Sequence, residues 1–270
     1  MVNKNRFHLS TSAAESYESQ KVPAIFSPMA ERTLDAISLP TRATVLDMAC
    51  GTGVMAKAVS ARLSEPSRIV GTDINPAMIK VAQENTPSNQ HKFEWIVAPA
   101  EQMSIQDSQF DLIFCQQGLQ FFPDKKAALK ESSRVIKTGG RLILTCWAAI
   151  PPFFQTVADV LERHVSLDAA KVAVNPFIWN NAEEIQELIS DAGFTVSSPI
   201  QLSVTRNMSA SINAMEEELL ATPNEPVLRS LPEEKFSLVV TEILHGVQKY
   251  KQEDELAMPQ LSYLFNAFKH

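Results

Sequence analysis

The chain has 270 residues, 45% of them hydrophobic and 20% charged, which is enough to bury one large core or a core with a sizeable insertion. Its formal net charge of -7 argues against a nucleic-acid partner, because such a protein usually needs a concentrated basic surface. Cys50, Cys115 and Cys146 lie far apart and form neither a zinc spacing nor a disulfide framework, so we expect a cytoplasmic protein without a metal site. The polar start of the chain and the shortness of its apolar stretches predict no membrane insertion.

Up to Trp147 the chain alternates short apolar runs with helical patterns. After a helical pattern at 27–38, strands are predicted at 43–49, 68–73, 93–98, 110–117 and 141–147. Helices are predicted between them at 54–63, 75–85 and 124–137. Asp124 is a candidate N-cap of the last of these helices, and "KTGG" at 137–140 is a candidate stop. This alternation predicts a parallel sheet with helices on both faces.

The pattern changes after Trp147. Helical patterns follow at 151–165, 180–194, 212–221 and 232–250, and strand patterns at 195–205 and 260–269. Asn181 and Glu184 have the spacing of a capping box, and Gly193 is a candidate stop for that helix. The late helices therefore resemble an insertion between the final two strands.

The stretch "VLDMACGTGVMAKAV" joins a predicted strand to a predicted helix through Gly51 and Gly53. Glycine permits positive φ and a close backbone approach to a ligand, and the helix N-terminus favours a carboxylate or phosphate. Asp73 ends the next strand about twenty residues on, where an acid that binds ribose hydroxyls is expected. These features fit a nicotinamide dinucleotide site and an S-adenosylmethionine site equally, and a plain structural turn is a third interpretation.

Five motifs in order then favour one family. They are "VLDMACGTG", "VGTDINPAMIKVA", "VAPAEQMSI", "FDLIFCQQGLQFFPD" and "ALKESSRVIKTGGRLILTCW". From Thr41 to Trp147 the chain resembles the class I S-adenosylmethionine-dependent methyltransferases, most of all the ubiquinone/menaquinone-methyltransferase-like group of small-molecule enzymes (methyltransferase type 11). The resemblance implies an α/β fold with a Rossmann-like, seven-stranded, mostly parallel sheet whose last strand is antiparallel. It also implies helical lid insertions and S-adenosyl-L-methionine as cofactor.

The resemblance also assigns roles along the cofactor. Asp47 would order the turn, Cys50, Gly51 and Gly53 would line the methionine part, and Asp73 would hold the ribose hydroxyls. The remaining cofactor-binding residues would be Ile74 and Met78 flanking the adenine, Ala100 and Glu101 at its edge, Gln116 beside the methionine moiety, and Tyr17 closing over it.

Two positions depart from the family pattern. Many relatives carry an acid where Pro99 stands, and that acid binds the adenine amino group, so Glu101 or a backbone carbonyl would have to replace it. Gln120 stands where related enzymes often carry a histidine, so a base is missing there. His164, on the apolar face of its predicted helix, is a candidate general base. Its alternative is a structural histidine, because no acidic partner can be assigned from the sequence.

The expected organisation is an N-terminal helical segment over the cofactor site at 1–40, a cofactor-binding core at 41–150 and a C-terminal part at 151–270 that completes the sheet. Segments 151–180 and 208–256, which carry Met208, Met215 and Phe236, are predicted to form the lid over the acceptor. The predicted function is methyl transfer to a small or medium-sized, partly apolar metabolite. Two alternatives remain open: an S-adenosylmethionine-binding sensor or scaffold without transfer activity, and an RNA methyltransferase.

Overall fold

The structure is a computed structural model that describes residues 10–270. The first nine residues of the expected N-terminal segment lie outside the described residues. The chain divides into two compact units. Unit 1 comprises Met1–Cys146, Asn181–Leu202 and Ser262–His270, and unit 2 comprises Trp147–Asn180 and Ser203–Leu261.

Nine strands are present in the described residues: β1 Thr44–Met48, β2 Arg68–Asp73, β3 Lys92–Val97, β4 Phe110–Gln116, β5 Ile136–Trp147, β6 Phe194–Val196, β7 Ile200–Ser209, β8 Lys251–Gln252 and β9 Glu255–Lys269. The α-helices are α1 Thr11–Ser16, α2 Ser27–Asp35, α3 Val54–Arg62, α4 Pro76–Glu84, α5 Lys125–Val135, α6 Pro152–His164, α7 Leu167–Val174, α8 Ala182–Asp191, α9 Ile212–Leu220, α10 Glu225–Arg229 and α11 Glu233–Gly246. A π-helical segment, Tyr17–Phe26, joins α1 to α2. Short 3-10 turns occupy Leu119–Phe121, Asn175–Phe177 and Gln248–Tyr250.

Seven strands follow the order β3-β2-β1-β4-β5-β9-β6, and β7 and β8 also pair with β9. The pairs from β3 to β5 are parallel, whereas β9 and β6 run antiparallel. The predicted Rossmann-like fold with an antiparallel last strand is therefore confirmed, with two strands beyond the expected seven. In register, Asp47 of β1 lies between Gly71 of β2 and Phe114 of β4. The carboxyl ends of these three strands are consequently neighbours.

Capping residues set the starts of α5 and α8 as the sequence predicted. The Asp124 side chain accepts from the Ala127 amide to begin α5, and Asn181 accepts from two amides to begin α8. The predicted stop at 137–140 is corrected, because α5 already ends at Val135 and the glycines form an irregularity inside β5. There Phe110 pairs with Ile136 and Leu112 pairs with Arg141, so several residues of β5 face one residue of β4.

Three further boundaries differ from the prediction. The strand pattern at 195–205 splits into β6 and β7 around Pro199, which lacks the N–H that a continuous ladder needs. The last helix ends at Gly246 rather than at 250. The last strand, β9, begins at Glu255, five residues before the predicted 260.

Unit 2 has an apolar core of its own. Val240, Ile243 and Val247 are fully buried and Phe236 is partly buried, as the apolar stripe of the predicted helix requires. The other fully or nearly buried members of this core come mainly from α6, α7, α9 and α11; examples are Phe153, Leu161, Ala170, Met215 and Leu219. No helix within residues 10–270 combines the length and apolarity needed to cross a bilayer.

Candidate functional site

The loop between β1 and α3 is the tightest turn of unit 1. Ala49, Gly51 and Gly53 have φ values of 56°, 55° and 83°, so three residues in five adopt the left-handed region. Glycine accepts this conformation without cost, whereas Ala49 is strained in it. The first backbone amides of α3 face the loop, and free amides at a helix N-terminus favour the binding of an anionic group.

Gly53 is required by packing as well as by its backbone. A Cβ placed on Gly53 would lie 2.5 Å from Cη2 of Trp95, and one placed on Gly71 would lie 2.4 Å from the same indole. The Trp95 Nε1 donates to the Thr86 hydroxyl at 2.8 Å, which fixes the ring there. Trp95 was not predicted as a site residue, because Gly53 and Gly71, the two glycines that it packs against, belong to other elements of the fold.

Gly51 differs from Gly53 in its surroundings. A Cβ on Gly51 would meet only the Tyr17 ring, at the ordinary contact distance of 3.9 Å. The space above Gly51 is thus limited by the Tyr17 side chain rather than by the core.

Asp47 is buried at the end of β1 and fixes the start of α3. Its Oδ2 accepts from the Ala56 amide at 2.9 Å. Burial raises the pKa of the Asp47 carboxyl from 3.8 to about 7, although the hydrogen bond from Ala56 opposes the rise. This contact matches the turn-ordering role that the resemblance implies.

Asp73 ends β2 and binds the glycine loop directly. Its Oδ2 accepts from the Gly51 amide at 2.9 Å, and its Oδ1 accepts from the Asn75 amide at 2.8 Å. Burial raises the pKa of this carboxyl, while the backbone amides of Asn75, Gly51 and Ile74 lower it. A carboxylate offers about four lone-pair positions, so with three amides beside it the oxygens keep capacity for about one further donor, such as a ribose hydroxyl.

The N-terminal segment brings Tyr17 to the same place. Ala14 of α1 packs with Met78 and Val81 of α4, and Tyr17 lies against this cluster. The Tyr17 ring stacks on Phe26 with centroids 5.2 Å apart. Burial, then the charge of Asp73, raise the pKa of the Tyr17 hydroxyl, so it stays protonated and available as a donor.

Gln116 is tied to this segment as well. Its Nε2 donates to the Phe26 carbonyl at 3.0 Å, and its buried Oε1 has no donor.

Cys50 is a buried thiol whose pKa is raised well above its ordinary value, first by burial and then by Asp47. Cys115 and Cys146 are also free and buried, with pKa values raised by burial, so the interpretation of all three as packing residues fits.

The residues expected around the adenine lie at the ends of β2 and β3. Ile74 follows Asp73 and is 45% exposed, which makes it an apolar surface open to a ring. Met78 is buried, packed in the cluster with Ala14. Ala100 is buried, and the Glu101 Oε1 is 3.5 Å from the Asp124 amide. Pro99 is exposed beside them.

His164 lies in unit 2, at the C-terminal end of α6. Its Nε2 is 3.0 Å from Oε1 of Glu242 on α11, and Arg163 binds the other oxygen of that carboxylate at 2.9 Å. The acidic partner that the sequence could not assign is therefore Glu242. It is far away in the chain, and no local pattern joins the two helices.

The site fits S-adenosylmethionine by three features. Asp73 keeps a lone pair for a ribose hydroxyl, and no atom lies closer than 3.9 Å to a Cβ placed on Gly51. The buried Oε1 of Gln116 lacks a donor, and an ammonium group supplies one. The contacts around the glycine loop involve five of the predicted cofactor-binding residues: Tyr17, Cys50, Gly51, Asp73 and Gln116. Ala100 and Glu101 are not among them.

Comparisons with known proteins agree with this geometry. Residues 46–144 match the family model described as a methyltransferase domain. The demethylmenaquinone methyltransferase of Lactiplantibacillus plantarum is 36% identical over 115 residues, which cover 42% of this chain and 48% of that protein. The ubiquinone/menaquinone biosynthesis C-methyltransferase UbiE of Laribacter hongkongensis is 32% identical over 173 residues, 60% of this chain and 71% of that protein.

A solved structure shows the same fold at low identity. Phosphoethanolamine N-methyltransferase 2 of Haemonchus contortus, in complex with S-adenosyl-L-methionine, matches with a TM-score of 0.58 and 17% identity over 98% of this chain and 58% of that one. The chain spans about half the length of the first two curated relatives, 48% of each. The extent of the UbiE match, together with the methyltransferase-domain match, shows that the chain belongs to the class I S-adenosylmethionine-dependent methyltransferases of the UbiE-like type.

Proposed function

We propose that this chain methylates a small or medium-sized, partly apolar metabolite with S-adenosyl-L-methionine as donor. The observation that carries the proposal is the bridge from the Asp73 carboxylate to the Gly51 amide, at the meeting point of β1 and β2. A carboxylate in that position holds the loop closed and keeps a lone pair for a sugar hydroxyl. A nicotinamide dinucleotide site would share this bridge, but the family of the chain favours the methyl donor.

The bound cofactor supplies a methyl group that its sulfonium already activates. The protein then has to position the acceptor and exclude water. Positioning alone can supply up to about 7–11 kcal/mol of the barrier. Gln120 cannot act as a base, so the chain fits an acceptor that reacts through its own lone pair or carbon nucleophile and releases its proton to solvent.

The names of the relatives favour a quinone-precursor type of acceptor. One relative is a demethylmenaquinone methyltransferase, and the other is a ubiquinone/menaquinone biosynthesis C-methyltransferase. The prediction that segments 151–180 and 208–256 form the lid over the acceptor stays a prediction.

We place the reaction in the cytoplasm, since the three free and buried cysteines suit a reducing compartment.

The test is release of S-adenosylhomocysteine from S-adenosylmethionine in the presence of a panel of acceptors. The panel holds a demethylmenaquinol analogue, other phenols, amines and a transfer RNA. Release with the small apolar members supports the proposal, and release with the RNA alone contradicts it. Tight cofactor binding without release on any member favours the sensor or scaffold alternative.

A further inference from the structure

Gln117 and Gln120, which follow the carboxyl end of β4, carry side-chain amides that the cofactor roles do not use. The Oε1 atoms of Gln117 and Gln120 are buried and have no donor. The Thr145 hydroxyl, on neighbouring β5, is also buried without a partner. Each unsatisfied buried acceptor costs about 1–3 kcal/mol, so three together require an explanation.

The orientation of the Gln120 amide is fixed by its surroundings. Its Nε2 donates to the Gln117 backbone carbonyl at 2.8 Å, and a carbonyl oxygen can only accept. The nitrogen must therefore point to that carbonyl, and the free atom of Gln120 must be the oxygen. The Gln117 amide is held by the Ser262 hydroxyl at 2.7 Å. The side-chain oxygen of Gln120 is thus a buried acceptor without a donor.

The backbone holds Gln117 and Gln120 beside the glycine loop. Gln117 has a φ of 53°, and its amide donates to the Thr145 carbonyl at 3.0 Å. A Cβ on Gly118 would come within 2.9 Å of the Ala49 Cβ, so the two loops are in contact. Ala49 and Gln117 are both non-glycine residues in the left-handed region, and such strain concentrates at functional sites.

We propose that Gln120, supported by Gln117, binds an O–H or N–H group of the methyl acceptor through its side-chain oxygen. The inference rests on the proposed function and names the polar part of its substrate. Asp47 and Asp73 lie at the neighbouring strand ends, so an anionic acceptor group is disfavoured and a neutral or cationic donor is favoured. Gln120 is a positioning residue: it orients the acceptor and removes no proton.

Binding of two matched pairs of small molecules tests the assignment. The pairs are phenol with anisole and aniline with N,N-dimethylaniline, each measured by ligand-observed NMR on the full chain saturated with S-adenosylhomocysteine. We expect the donor-bearing member of each pair to bind about tenfold more tightly. Gln120→Leu should abolish this preference.

A second variant separates ligand binding from structure. Gln120→Leu and Gln120→Glu both lose the hydrogen bond to the Gln117 carbonyl, but only Gln120→Glu keeps a side-chain oxygen. The preference should survive in Gln120→Glu. Gln109→Leu removes a similar amide-to-backbone contact, to the Asp107 carbonyl, at the opposite end of β4 and should change nothing.

Equal binding within the pairs, no binding of any member, or a preference that persists in Gln120→Leu would overturn the assignment. Binding of S-adenosylhomocysteine is measured first in the same samples. Its loss would count against the proposed function, whereas its presence with no donor preference would count against the role of Gln120 alone.

Discussion

The two units hold their buried carboxylates in different ways. In unit 1, Asp47 and Asp73 bind backbone amides of the glycine loop and the first turn of α3. In unit 2, Arg206 and Glu218 bind each other, with the Nη2 and Oε1 atoms 2.7 Å apart. A carboxylate held by amides keeps lone pairs for a ligand, whereas an ion pair neutralises itself. We therefore propose that the ligand binds at the strand ends of unit 1 and that the buried ion pair of unit 2 has a structural role.

The ion pair should carry the largest effect on stability. Arg206 is 2% exposed and its guanidinium lies 5.4 Å from the Phe153 ring centroid. Arg206→Met leaves Glu218 as a buried charge without this partner, so we expect a loss of about 3–5 kcal/mol in the free energy of unfolding. Urea titration measures it.

The double variant Arg206→Met/Glu218→Leu is the control for this prediction. It replaces both charges with apolar groups and should return stability to near the wild-type value. If the double variant is as unstable as Arg206→Met, the pair is not the source of the effect.

Asp47→Asn probes a buried acid held by an amide. The pKa of Asp47 is raised to about 7 in the folded chain, above an ordinary value of 3.8. The Asp47 carboxyl therefore binds its proton more tightly in the folded state than in the unfolded state. As a result, its contribution lowers the free energy of unfolding as the pH rises from about 4 to about 7. Because the variant carries no charge, its stability relative to wild type should rise over that window, by up to about 4 kcal/mol. A difference that is flat with pH would show that Asp47 is ionised in the folded chain at all these pH values.

Gly53→Ala tests the packing of the glycine loop. The new methyl group would collide with Trp95 at a backbone φ of +83°, so we expect a loss of about 3 kcal/mol. Gly139→Ala is the matched control, since Gly139 has a φ of +78° but nothing within 4 Å of its added Cβ. It should cost only the backbone strain, about 1 kcal/mol. Equal losses in the two variants would show that the collision with Trp95 does not cause the loss of stability in Gly53→Ala.

His164→Gln should have the smallest effect on stability. The His164 and Glu242 side chains are 22% and 30% exposed, so water screens the contact between them and it should contribute about 1 kcal/mol or less. Thermal melting measures this change. Turnover tests a separate point: a loss of about 10²-fold with unchanged cofactor binding would support His164 as general base, and turnover near wild type would remove it.

The fold was predictable because its periodic signals are local. Continuous apolar runs marked β1 to β5, and the caps Asp124 and Asn181 marked helix starts that the structure confirms. The split around Pro199 and the bulge at 137–140 were not predicted, since both depend on which strand lies alongside.

Only part of the candidate site follows from the sequence, and its role in cofactor binding stays a prediction. Gly51 and Asp73 follow from spacing along the chain and are joined by a hydrogen bond in the structure. Trp95, Glu242 and the free oxygen of Gln120 depend on contacts between residues distant in the chain, and no sequence pattern carries that information.

Calorimetric titration of the full chain with S-adenosylhomocysteine, and separately with NAD, tests the central claim most directly. The account predicts binding of S-adenosylhomocysteine, no binding of NAD, and a weakening by about 1.5–3 kcal/mol in folded Asp73→Ala, because the ribose hydroxyls lose a charged acceptor. Binding of NAD without S-adenosylhomocysteine, or an unchanged affinity in Asp73→Ala, would contradict it.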